Sequence, residues 1–239
     1  MDKMPGWADA VLVPLISLLL AAILSALVII GIGEDPVAAF KLMVDGALMR
    51  SSGWGYTLYY ATNFIFTGLA VAVAFHARLF NIGGEGQAMI GGLGVALACL
   101  YIPWPNWYVA LLGATVSAAL FGAMWALIPA YLQAKRGSHI VITTIMFNFI
   151  AAAVLNYILV NILRPQGAMD PATARFPEAA QLPTFQDMFS TAETAMFRGA
   201  PANVTFFLAV FMCLAVWVLI WRTKLGYEIR SFGQSESAA

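Results

Sequence analysis

Apolar residues in this chain gather into six long runs with polar residues confined mainly to the gaps between them. The runs are approximately Val11 to Ile32, Thr57 to Ala77, Gln87 to Ile102, Trp107 to Leu132, Ile140 to Leu163 and Val204 to Trp221. A helix needs about 20 predominantly apolar residues to cross the hydrocarbon of a bilayer, so the pattern predicts an all-α fold, a polytopic transmembrane helix bundle with about six membrane segments. The third run is short, and is expected to be tilted or to begin within a non-helical break. The first is too long for the core of a signal peptide, and Gly31-Ile32-Gly33 leads straight into Glu34-Asp35 with no small-residue cleavage pattern, so it reads as an anchor.

The gaps carry an orientation signal. With the N-terminus in the cytoplasm, Lys3, Arg78, Lys135, Arg136, Arg222, Lys224 and Arg230 all fall inside, while the short outer turn Pro103-Trp104-Pro105-Asn106-Trp107 has no charge. Residues 33–55 and 164–203 then become extracytoplasmic segments, the first with an interfacial helix expected around Val37 to Met49, and residues 222–239 lie in the cytoplasm. Trp54, Tyr56, Trp104, Trp107 and Trp221 stand at run ends, where amphipathic rings anchor at the interface. Small residues inside the runs, such as Gly91-Gly92-Leu93-Gly94 and Ala151-Ala152-Ala153, permit close helix packing.

Composition fixes the class. Of 239 residues 62% are hydrophobic and 10% charged, with mean hydropathy +0.83, far from the quarter or so of charged residues in soluble domains. Net charge is zero, which offers no basic surface for nucleic acid. Cys99 and Cys213 each lie within an apolar run and imply no disulfide framework. His76 and His139 are separated and lack a cluster of further ligands, so no metal site is expected. None of Lys3, Lys41, Lys135 and Lys224 follows a glycine, which removes the phosphate-cradling Gly-Lys-Ser/Thr loop. If ATP drives this protein, another subunit binds it.

Candidate chemistry sits in Leu79-Phe80-Asn81-Ile82-Gly83-Gly84-Glu85-Gly86-Gln87, where a carboxylate, two amides and three glycines separate two apolar runs. An ionisable group near bilayer depth is costly unless it faces a cavity or a partner, so Asn81, Glu85 and Gln87 are candidates for a solute path. The alternative is that Glu85 caps the following helix at a wet interface. Thr144 and Asn148, one turn apart on the fifth run, share a face and can bond either a common ligand or a neighbouring helix. Thr62, Asn63 and Thr67 on the second run raise the same question.

Three segments carry a resemblance. The stretch Asn63 through Gly92, centred on Leu79 to Gln87, the segment Ser138-His139-Ile140-Val141-Ile142-Thr143-Thr144-Ile145-Met146-Phe147-Asn148, and the tail Arg222-Thr223-Lys224-Leu225-Gly226-Tyr227-Glu228-Ile229-Arg230 occur in this order. Together they resemble the permease subunits of bacterial ABC importers for nucleosides and simple sugars, within the binding-protein-dependent group that includes ribose and branched-chain amino acid permeases. The likeness covers the chain from about residue 40 onward. It implies a single transmembrane permease domain over residues 1–239 in the cytoplasmic (inner) membrane, and a non-enzymatic role moving a nucleoside or simple sugar. Implied partners are a cytoplasmic ATP-binding subunit, an extracytoplasmic solute-binding protein, a second permease subunit and membrane lipid, with no cofactor in this chain. It further implies an ATPase-docking region in which Gly226, Arg230, Gly233, Ala238 and Ala239 keep the family pattern, while Ser235 replaces the usual Asn. Family members continue with further membrane helices, so the chain reads as the first part of a longer permease. Rival readings are a permease for another small polar solute such as a branched-chain amino acid, a membrane-embedded enzyme using Glu85, and a channel or assembly factor.

Overall fold

The structure, a computed structural model, describes residues 11–50, 52–189, 197 and 199–235. Among them the chain folds into helices: α1 (Val13–Gly31), α2 (Pro36–Val44), α3 (Gly53–His76), α4 (Gly84–Tyr101), α5 (Trp107–Arg136), α6 (Ile140–Ile158), the short α7 (Phe185–Phe189), α8 (Thr205–Arg222) and α9 (Lys224–Gln234). Five of them, α1, α3, α5, α8 and α6 with its π-helical last turn to Leu163, are long and apolar enough to cross a membrane. The expected interfacial helix is α2 followed by a π-helical turn at Asp45–Met49, begun by Asp35, whose carboxylate accepts the Val37 N–H at 2.9 Å.

The third run differs from the other five. Its helix, α4, starts three residues before the run, at Gly84, and is diluted by glycine, yet it holds Ile90, Leu93, Ala96, Ala98 and Cys99 buried. It lies against α5 and α6. In lipid the apolar environment gives helices little reason to associate, so close backbone approach and interhelical hydrogen bonds take over. Here Ser117 of α5 donates to the Gly94 carbonyl at 2.8 Å, and the ring of Phe121 fills the space a side chain at position 94 would occupy. The outward faces of α1, α3, α5 and α8 carry exposed Leu, Ile, Phe and Val, as lipid-facing helices do.

A second group forms where α3 packs on α8 and α9 folds back across both. Thr223 starts α9 by accepting the Gly226 N–H at 3.1 Å. At the far end of α9 the backbone of Gly233 presses on the His76 carbonyl and Ala77, so the C-terminal ends of α3 and α8 lie on the same side. The N-terminal half of α6 reaches the loop after α3 through Thr144 and Asn148, which brings the C-terminal end of α5 to that side too. Arg78, Lys135, Arg136, Arg222, Lys224 and Arg230 therefore share one face of the bundle. At the opposite end Phe176 and Ala180 pack on Cys99 and Ala110, and α7 is nailed to the start of α8 by Phe185, ringed by Phe189, Phe197, Phe206 and Phe207. Thr184 and Asp187 cap α7 reciprocally: Asp187 accepts the Thr184 hydroxyl at 2.7 Å and its N–H at 3.0 Å, and the Asp187 N–H donates back to Thr184 Oγ1 at 3.2 Å. The Thr184 hydroxyl, and then its backbone N–H, hold the Asp187 carboxyl below its ordinary range.

The end of α3 is unusual. Arg78 occupies the left-handed position just past the helix, φ 55°. Its N–H reaches the Phe75 carbonyl at 2.9 Å and that of Leu79 reaches Ala74 at 3.0 Å, the paired bonds of a Schellman stop. Glycine normally fills this position; any residue with a Cβ incurs roughly 1–2 kcal/mol there.

Candidate solute path and the α9 face

The loop between α3 and α4 is held by α6. The Asn148 amide uses both ends: Oδ1 accepts the Gly86 N–H at 2.9 Å and Nδ2 donates to the Ile82 carbonyl at 2.9 Å. Gly86 N–H belongs to the first turn of α4, one of the donors a helix leaves unsatisfied at its start, so Asn148 caps α4 from another helix. Contact is close enough that a Cβ at position 86 would sit 2.9 Å from Asn148 Oδ1 and 3.1 Å from the Phe147 carbonyl. Thr144, 2% exposed, accepts the Ile82 N–H at 3.3 Å and gives its own proton to the Ile140 or Val141 carbonyl, 2.8 and 3.1 Å away. By spacing, Thr144 and Asn148 are open to a common ligand or a neighbouring helix; here they bond the Ile82 backbone in the loop and Gly86 N–H in the first turn of α4.

Asn81 and Gln87 are less committed. Asn81 Oδ1 accepts the Gly83 N–H at 2.8 Å, but the two side-chain amides meet only at 3.4 and 3.5 Å, at the weak limit of hydrogen bonding. Glu85 lies in the first turn of α4, exposed and without a hydrogen-bond or ion-pair partner among the described residues. Its position suits the helix dipole, and its carboxylate is free to meet something else. The structure thus brings Asn81, Gln87, Thr144 and Asn148 together, with Glu85 beside them on the open side.

In the predicted docking region, Gly226 and Gly233 are packing positions within the chain: a methyl at 226 would overlap the Leu219 carbonyl, and one at 233 the His76 carbonyl. Arg230 donates Nε–H to the Gly226 carbonyl at 3.3 Å and lays its guanidinium 4.6 Å from the centre of the Trp221 ring. Ala238 and Ala239 lie outside the described residues. By position Trp221 is an interface anchor, and His76 carries no metal-site signal. The structure pairs them edge to face at 6.0 Å, beside Arg230. Their only advance signal was that both end a run on the cation-bearing side.

A helical membrane bundle whose polar residues tie a glycine-rich loop to a neighbouring helix, with an amphipathic helix folded across one end, has the build of a transport subunit. The match to known proteins makes this specific. Residues 54–239 fit the family described as branched-chain amino acid transport system / permease component, and the chain belongs to that family of multi-pass inner-membrane permeases, which are not enzymes. It is 32% identical over 98% of its length to the glucose ABC transporter permease protein of Haloferax volcanii. Identity is 31% over 95% to the guanosine ABC transporter permease protein of Bacillus subtilis, and 27% over 96% to a nucleoside ABC transporter permease protein of Lactococcus lactis. The chain spans 61%, 63% and 62% of the length of these relatives. No solved structure matches it.

Proposed function

We infer that this chain forms the membrane path of an ABC importer for a nucleoside or simple sugar, energised by a separate ATP-binding subunit and supplied by a solute-binding protein. The carrying observation is that relatives named for glucose, guanosine and nucleosides align with nearly the whole chain. Asn81, Glu85 and Gln87 meet the solute, because their hydrogen-bonding capacity is incompletely used. Thr144 and Asn148 stand behind them and hold the loop in place. Six cations on the face of α9 support a cytoplasmic position for it by the positive-inside rule, where Gly226 and Gly233 seat it against the bundle and Arg230, with Ala238 and Ala239 beyond it, belongs to the surface offered to the ATPase. A second, unlike permease or a second copy completes the path.

The test is uptake by the importer assembled with its ATP-binding subunit and solute-binding protein, offered guanosine, glucose and leucine. ATP-dependent uptake of the nucleoside or the sugar is expected. Glu85→Gln is expected to cut that uptake by about tenfold or more while membrane abundance stays near wild type, since a pathway carboxylate is retained for transport and not for packing. Leucine uptake alone, or unchanged transport in the Gln variant, overturns the corresponding part of the reading.

A further inference from the structure

Beside α9 lies a groove of about 630 Å³, walled by Phe75, Phe80 and Trp221 and lined by His76, Arg78 and Arg230. Two guanidinium groups and an imidazole face it, and no carboxylate does among the described residues. His76 Nδ1 is 2.8 Å from the Ala72 carbonyl; a carbonyl only accepts, so the proton is on Nδ1 and Nε2 is the ring nitrogen left over. Arg230 is oriented by Trp221 and the Gly226 carbonyl. Arg78 has no side-chain partner among the described residues, yet it holds the left-handed position that glycine would fill without strain. A cation kept at a strained backbone position, on the lip of a groove, points to a use for its charge.

The walls say which anion. Phe75, Phe80 and Trp221 are 63%, 54% and 52% exposed; Phe75 and Trp221 belong to the last turns of α3 and α8, two helices long and apolar enough to cross a membrane, and Phe80 follows α3. We propose that this groove binds an anionic phospholipid of the leaflet that meets α9, its phosphodiester held by Arg78 and Arg230 and its acyl chain laid against Phe75, Phe80 and Trp221. Arginine forks suit phosphate oxygens, basic pockets between helix ends take acidic headgroups, and the adjoining pocket around Trp221 adds Arg222 and Lys224 against one carboxylate, Glu228, a net positive surround. The assignment needs only that the chain spans a bilayer; it is independent of the solute and of transport.

The full chain in nanodiscs, made with phosphatidylglycerol or with phosphatidylcholine, is analysed by native mass spectrometry for retained lipid. Phosphatidylglycerol is expected to be retained with about tenfold preference, and Arg78→Gly to lose about fivefold of it, the value of one cation near a headgroup. Because glycine relieves the strain at 78, this variant is expected to melt no lower than wild type in phosphatidylcholine, which separates lost binding from lost folding. Lys135→Gln, a cation on the same face outside the groove, is expected to change nothing. Equal retention of the two lipids overturns the proposal, as does an equal loss in Lys135→Gln, which would mean diffuse surface charge. Full displacement of the lipid by millimolar inorganic phosphate would assign the groove to a free anion. Unchanged lipid retention in Arg78→Gly, with weakened capture of the ATP-binding subunit, would assign it to that protein instead.

Discussion

Asn148 illustrates how much of one residue's role is decided across the chain. Its Oδ1 and Nδ2 serve Gly86 and Ile82, groups 62 and 66 residues away. Asn148→Ala leaves a helix-start N–H and a carbonyl without partners, and is expected to cost about 2 kcal/mol, read as a lower melting temperature in detergent. Thr144→Val, similar in shape, loses one longer bond and is expected to cost about 1 kcal/mol, with an intermediate melting temperature. If both variants melt like wild type while the assembled importer loses transport, the two residues serve the solute and not the loop. Spacing alone placed Thr144 and Asn148 on one face of their helix. It left open what that face meets, because the partner is backbone in a loop that apolar patterning does not describe. Arg78 was legible as a loop cation, whereas its left-handed backbone, and with it the contrast between strain and charge, depends on how α3 stops.

Whole elements were most legible where hydrophobicity alone defines them. The runs at α1, α3, α5, α6 and α8 stand within a few residues of the observed helices, since a long apolar stretch in lipid has few alternatives to a helix. The start of α4 was read late because its first turn, Gly84-Glu85-Gly86, is polar and glycine-rich, and its cap comes from α6. α9 (Lys224–Gln234) escaped hydropathy altogether, and the resemblance marked residues 222–239 only as a docking region, although Thr223 followed by Gly226 marks the helix start. Its attachment rests on the absence of a side chain at Gly233. Gly233→Val drives two methyls into the His76 carbonyl and is expected to lift the end of α9 off α3. Limited trypsin digestion in detergent then cuts at Arg230 several times faster than in wild type, and an unchanged rate would show that α9 is held by α8 alone.

At the scale of the molecule, Arg78, Lys135, Arg136, Arg222, Lys224 and Arg230 lie on the face of α9, and the aromatic-rich segment around α7 lies at the other, with Arg164 and Arg175 in the long segment that leads to it. In intact cells treated with a membrane-impermeant maleimide, a single cysteine at Ala172 is expected to be labelled, while single cysteines at Lys135 and Ser235 are expected to stay protected until the membrane is permeabilised. Labelling of the latter two without permeabilisation would invert the bundle and remove the proposed site of ATPase engagement. The burial of α4 also bears on how the protein is made. Glycine, Glu85 and Gln87 leave this helix below the hydropathy of the five that qualify as spans, so as it emerges from the ribosome it has little drive to enter lipid unaided. Its surface is matched to α5, through Gly94 and Ser117, and α5 follows after a five-residue turn. The two are expected to enter as a hairpin: fused to a reporter, α4 by itself passes largely through the translocon, while α4 with α5 attached stays in the membrane. Efficient insertion of α4 alone would mean that its glycine-rich face finds lipid acceptable, and that the order of synthesis places no constraint on this part of the bundle.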